Sequence, residues 1–132
     1  MSVKNILMLV GEFSEEYEIF VFQQTFEALG HSVDIVCPET KAGYRLTTSV
    51  HDFGPDLMTW SEHRGHAIEI SKDFDAVDTA DYDAVYVAGG RGPEIIRTFP
   101  RIREILREFH RDEKPIASIC HGLQVLVAVP EV

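Results

Sequence analysis

Hydrophobic residues arrive along this chain in two rhythms. Asn5 to Val10 is a continuous apolar run of strand length, ended by Gly11-Glu12, and such a run suits a strand buried on both faces. From Glu15 to Leu29 the spacing lengthens, with Ile19, Phe22, Phe26 and Leu29 on one helical stripe. Ser14 is the expected N-cap, Glu15, Glu16 and Glu18 sit where the helix dipole favours negative charge, and Gly30 is a C-terminal stop. His31 to Val36 alternates as a second strand, halted by Pro38. A strand–helix–strand opening predicts a βαβ unit and a parallel sheet covered on both faces.

The middle of the chain, Thr40 to Asp81, is less regular. Leu46 to Val50 and Ala67 to Ile70 read as short strands, and His51 to Gly65, with its Gly54-Pro55, as an exposed loop. A hairpin added to the main sheet is one way to pair them. Order returns with Ala84-Val-Tyr-Val-Ala88, a buried strand running into Gly89-Gly-Arg-Gly-Pro-Glu94, where Pro93 suits the first turn of a helix. A helix from about Pro100 to Arg111 puts Ile102, Ile105, Leu106 and Phe109 on one face, and Lys114-Pro115 ends it. Ile116 to Ile119 is another central strand, and Gly122 to Val129 starts a last helix.

Composition narrows the class. The 132 residues fit one domain, 1–132, and 45% hydrophobic with 26% charged residues is ordinary for a globular protein. Twelve basic against 22 acidic residues leave a net charge of −10, which repels phosphate backbones and anionic lipid and argues against nucleic-acid or membrane partners. The first apolar run is broken too soon for a signal-peptide core or a membrane span. Cys37 and Cys120 make neither a CxxC pair nor a disulfide framework. A cytoplasmic protein with reduced thiols is expected.

The chemistry points to Pro115-Ile-Ala-Ser-Ile-Cys-His-Gly-Leu-Gln124. A strand that ends at a cysteine and turns at once into a helix pushes the side chain above the carboxyl edge of the sheet, where the next backbone N–H also points. A helix N-terminus lowers a thiol's pKa, so Cys120 is the expected nucleophile; the alternative is a buried structural cysteine. Gly89-Gly90, at the end of the neighbouring strand, exposes amides suited to an oxyanion. It lacks the spacing of NAD- or ATP-binding loops, and no cofactor or metal is expected. Glu18 reaches the same edge and, if protonated, donates to the thiolate; Glu15 and Glu16 are taken as solvated. His121 is placed for acid/base work but needs a third group to fix its tautomer. His63 and His66, with His51 nearby, are weak evidence for a metal. Cys37 reads as core, and Trp60 and Met58 as pocket or interface residues.

Three stretches, Ala117-Ser-Ile-Cys-His-Gly122, Ala88-Gly-Gly-Arg-Gly-Pro-Glu94 and Glu15-Glu-Tyr-Glu18, together resemble the PfpI/ThiJ superfamily, relatives of class I glutamine amidotransferases, and most of all its PfpI-type intracellular cysteine peptidases and protein deglycases. The resemblance implies an α/β fold, a flavodoxin-like, doubly wound, mostly parallel sheet with helices on both faces. It implies a cysteine-dependent hydrolase acting on a small carbonyl or peptide substrate. Cys120 would be the nucleophile and His121 its acid/base partner. Glu94 would come from a neighbouring subunit to that histidine, Glu18 would hydrogen-bond the cysteine, and the amides of Gly90 and His121 would form the oxyanion hole. A glutamate supplied in trans implies a homo-oligomer. Leu123 stands where the PfpI type has proline. Family members also continue past the position of Val132, so a truncated chain, or a second polypeptide supplying the remainder, is expected, with apolar surface on the last helix exposed. Two other functions stay open: a redox or stress sensor oxidised at Cys120, and a non-catalytic assembly subunit.

Overall fold

The computed structural model describes residues 2–132. Four parallel strands, β1 (Asn5–Leu9), β2 (Ser32–Val36), β5 (Ala84–Val87) and β6 (Ile116–Ser118), form a sheet in the order β2-β1-β5-β6. The continuous apolar character of β1 follows from its place in that order. Leu7 and Leu9 enter one core, while Ile6, Met8 and Val10 enter the other. β5 repeats the division, with Val85 and Val87 on the first face and Tyr86 and Ala88 on the second. A strand with helices above and below has no wet face, so alternation disappears.

The first face is covered by α2 (Gly92–Ile96), α3 (Pro100–Arg111) and α4 (Leu123–Val127). The expected stripe Ile102, Ile105, Leu106 and Phe109 on α3 is wholly buried, each side chain worth about 1.5–3 kcal/mol in transfer. The second face is covered by α1 (Glu16–Ala28) and by a hairpin of β3 (Arg45–Asp52) and β4 (Ser61–Glu69). On α1 only Ile19 of the expected stripe is fully buried; Phe22 and Phe26 are partly so, and Leu29 is exposed. Phe22 stacks on Tyr86 at 3.8 Å between centroids.

Several sequence expectations are corrected. The strands of the middle region extend further than their apolar residues, so the loop shrinks from 51–65 to 53–60. The hairpin is a separate two-stranded sheet, not an addition to the main one. It is fastened to the start of α1 by Phe13 N–H to Thr47 O at 2.9 Å and Ser49 N–H to Ser14 O at 3.0 Å, and buries Leu46 and Ile68. β6 lies at the edge of the sheet and is only partly buried, not central. An apolar groove lined by Tyr17, Val21, Phe22 and Ile119 runs beside it. Leu123 and Val127 of the last helix are exposed, as expected. Among the described residues no helix is long and apolar enough to cross a membrane.

Candidate active site

The turn after β6 is sharp. Ile119 is still extended, Cys120 has φ +53°, and residues 120–122 make one 3-10 turn before α4 begins at Leu123. A non-glycine residue in the left-handed region costs on the order of 1–3 kcal/mol and persists only where the surroundings impose it. Here Ile119 N–H donates to Val87 O at 3.3 Å and Gly122 N–H to Ile119 O at 2.8 Å. Gly122 packs so near β5 that a Cβ there would lie 2.5 Å from Val87 O.

Glu18 closes the other side. Its Oε2 accepts from the Gly89 amide at 2.7 Å, and its carboxyl lies beside Cys120, close enough for the two groups to shift each other's titration. Gly89 must be glycine, since a Cβ would fall onto Glu18 Oε2 and the Cys120 Cβ. The backbone amides of Gly90 and His121 lie near the Cys120 sulfur and favour its thiolate form. All the residues assigned to the thiol's surroundings from sequence therefore meet, except Glu94. That side chain is exposed on α2 and makes no hydrogen bond or ion pair among the described residues.

The electrostatics reverse one expectation. The Cys120 thiol is pushed up rather than down, first by burial and further by Glu18's charge and hydrogen bond, against the two amides. The helix that follows is a single 3-10 turn and five residues, too short a dipole to outweigh the thiol's burial and the part-buried carboxyl beside it. Burial likewise pushes Glu18 above the ordinary carboxyl range, with Glu15's charge in the same sense, while Gly89, Cys120 and His121 pull it down. The two groups share one environment, so their titrations are coupled. A charged Glu18 holds the thiol protonated, and a protonated Glu18 can donate to a thiolate.

Glu15, not Ser14, caps α1: it is 6% exposed and its Oε2 accepts from Glu18 N–H at 2.9 Å. Ser14 is fully buried and its hydroxyl is spent on the Gly11 amide at 3.0 Å. Glu16 is not solvated either. It accepts from the Thr48 hydroxyl at 3.0 Å and the His66 amide at 2.6 Å, which hold its pKa below the ordinary value despite burial. These carboxylates fasten the hairpin to the helix that carries Glu18.

The hairpin also brings residues that sequence reasoning placed elsewhere or left open. Trp60 stacks on His51 at 4.8 Å and meets His121 at 5.2 Å between centroids. Glu62 pairs with Arg91 at 2.8 Å, tying β4 to the Gly89-Gly90 turn. The only sequence signal for this arrangement was an isolated tryptophan in a Gly/Pro loop. His63 faces Asp52 and His66 faces Glu16, apart from His51. Met58 is fully exposed. Cys37 is buried, its thiol pushed up to about 12 by burial.

A profile of the DJ-1/PfpI family matches residues 4–130. DJ-1 homolog D of Arabidopsis thaliana is 46% identical over 125 residues, covering 95% of this chain and 32% of that protein. A Pyrococcus furiosus protein named deglycase PfpI is 38% identical over 64 residues, 48% of this chain and 39% of its own length. The chain thus spans about a third of the plant relative (32%). In solved structures the fold resembles Drosophila melanogaster DJ-1beta, with TM-score 0.76 at 19% identity, covering 98% of this chain and 61% of that one. With a strand-to-helix cysteine elbow, a parallel sheet flanked by helices and a family match along nearly its whole length, the chain belongs to the DJ-1/PfpI family.

Proposed function

We propose that this domain is a cysteine-dependent hydrolase of small carbonyl compounds, of the deglycase or glyoxalase kind, with peptide hydrolysis the related alternative. The observation that carries the reading is the convergence of three groups, the amides of Gly90 and His121 and the carboxyl of Glu18, on one left-handed cysteine. The deglycase name of the Pyrococcus relative supports the carbonyl form.

A thiol whose pKa is raised rests as S–H and needs a base. In the first step His121 takes that proton and the sulfur pair forms a C–S bond to the carbonyl carbon. The C=O π pair moves onto oxygen, which the N–H groups of Gly90 and His121 receive. His121 then returns the proton to that oxygen, giving a hemithioacetal. Glu18 holds the sulfur in place and, when protonated, stabilises its anion. Glu94 is contributed by a second copy to orient His121, so the active unit is a homo-oligomer, working among the reduced thiols of the cytoplasm.

Cys120→Ala is expected to abolish turnover of methylglyoxal, and Glu94→Ala to lose it until mixed with Cys120→Ala protomers, which supply the missing glutamate. Turnover that survives Cys120→Ala would overturn the reading. The Glu18 contact also suits a redox sensor, in which Cys120 is oxidised by peroxide to a sulfinate that accepts from the protonated carboxyl. A peroxide-dependent mass gain confined to Cys120, without turnover, distinguishes it.

A further inference from the structure

The proposed chemistry leaves unused an aromatic stack beside the thiol. Trp60 immediately precedes β4, and its indole lies on the His51 ring of β3, with planes at 24° and centroids 4.8 Å apart. It also meets His121 at 5.2 Å and 56°, and Phe53 lies 6.0 Å away. One indole therefore packs against two imidazoles brought from positions 70 residues apart.

His51 is itself partly buried. Its backbone N–H approaches Glu15 Oε1 at 3.5 Å, and its Nε2 is buried without a hydrogen-bond partner among the described residues. Burial keeps the ring below the ordinary histidine range, with His121's charge acting in the same sense and Glu15 and Glu62 opposing. A neutral imidazole stacks on an indole face without leaving a buried charge unpaired.

His121, by contrast, makes no side-chain hydrogen bond among the described residues. An imidazole in that condition turns about two side-chain torsions unless packing stops it, and the indole is the aromatic ring packed against it. We propose that Trp60 is a positioning residue for His121, and that His51 fixes Trp60, so that the hairpin sets the orientation of the proton-carrying ring. This rests on the reading of His121 as the acid/base group.

Two measurements test it. In the first, Trp60→Ala and Trp60→Phe are compared with the unaltered protein for methylglyoxal turnover and for alkylation of Cys120 by iodoacetamide. Trp60→Ala is expected to lower kcat roughly 10- to 100-fold, the usual cost of misplacing an acid/base group. KM and alkylation rate should stay within about threefold, and Trp60→Phe should keep most of kcat because a ring remains. A Trp60→Ala protein with undiminished kcat, in a background where His121→Gln is inactive, overturns the proposal. Turnover in Cys120→Ala would instead sink the underlying hydrolase reading.

The second measurement does not depend on turnover. Trp60 is the single tryptophan of the chain, so intrinsic fluorescence reports on it alone. An imidazolium quenches an indole in contact with it; the carboxyls around the stack are Glu15, Glu18 and Glu62, and the histidine-to-glutamine variants separate any contribution of theirs from that of the imidazoles. Emission should rise as pH is raised through the imidazole range, and His121→Gln should remove a distinct part of that amplitude, His51→Gln another. A titration unchanged by His121→Gln means the rings do not touch and overturns the proposal.

Discussion

The coupling between Glu18 and Cys120 can be tested by removing one charge and little else. Glu18→Gln is nearly isosteric: its amide oxygen can still accept from the Gly89 N–H, which Glu18 now engages at 2.7 Å, and its NH₂ can donate to the sulfur. What disappears is the charge, which together with the carboxyl hydrogen bond pushes the thiol up. Two unit charges about 4 Å apart interact by about 4 kcal/mol at an effective dielectric of about 20, or about three pKa units at 1.36 kcal/mol each. Both side chains are only part-buried, so water screens much of that. Glu18 is also pushed toward its neutral form, which shrinks its average charge. A fall in the Cys120 pKa of about one unit is therefore expected. The assay is the pH dependence of iodoacetamide alkylation, with peptide mapping to separate Cys120 from Cys37, which is buried and slow to ionise. The midpoint should move to lower pH in Glu18→Gln, so that a larger thiolate fraction is present at neutral pH. A midpoint that stays or rises would refute the electrostatic account.

Other perturbations probe scaffold and site separately. Phe109→Ala, which empties a fully buried ring from the α3 face, should destabilise by about 3–5 kcal/mol in urea unfolding; a loss under 1 kcal/mol would mean this core is not formed as described. Gly89→Ala forces a methyl onto Glu18 Oε2 and the Cys120 Cβ, so it should displace Glu18 and abolish turnover while the circular dichroism spectrum is retained. A fully active Gly89→Ala protein would show the thiol site is looser than its geometry.

Much of the scaffold was legible because its signals are local. The run Asn5 to Val10 demanded burial on two faces, and the stripe at 102, 105, 106 and 109 demanded one helical face; both demands are met. The elbow was legible for the same reason, since a small-residue strand, Cys120 and Gly122 lie within a few positions of one another. Where patterns failed, a distant neighbour had decided the matter. β3 and β4 extend through His51 and His63 because pairing with each other satisfies their backbones, something no apolar alternation announces. Ser14 makes a good cap by composition, but the Gly11 amide had already taken its hydroxyl, leaving Glu15 to cap.

The amino-acid order by itself determined the two-sided burial of β1, the buried face of α3 and that a cysteine stands at a strand-to-helix turn, because hydrophobic period and turn chemistry act over a few residues. Only the tertiary structure decided how that cysteine behaves. Its acidity is the sum of fields from residues 18, 90 and 121 together with burial, and its histidine neighbour is met by Trp60, from a different strand pair. Electrostatic and packing energies depend on distance in space, and a chain of 132 residues sets those distances only after its two sheets have come together.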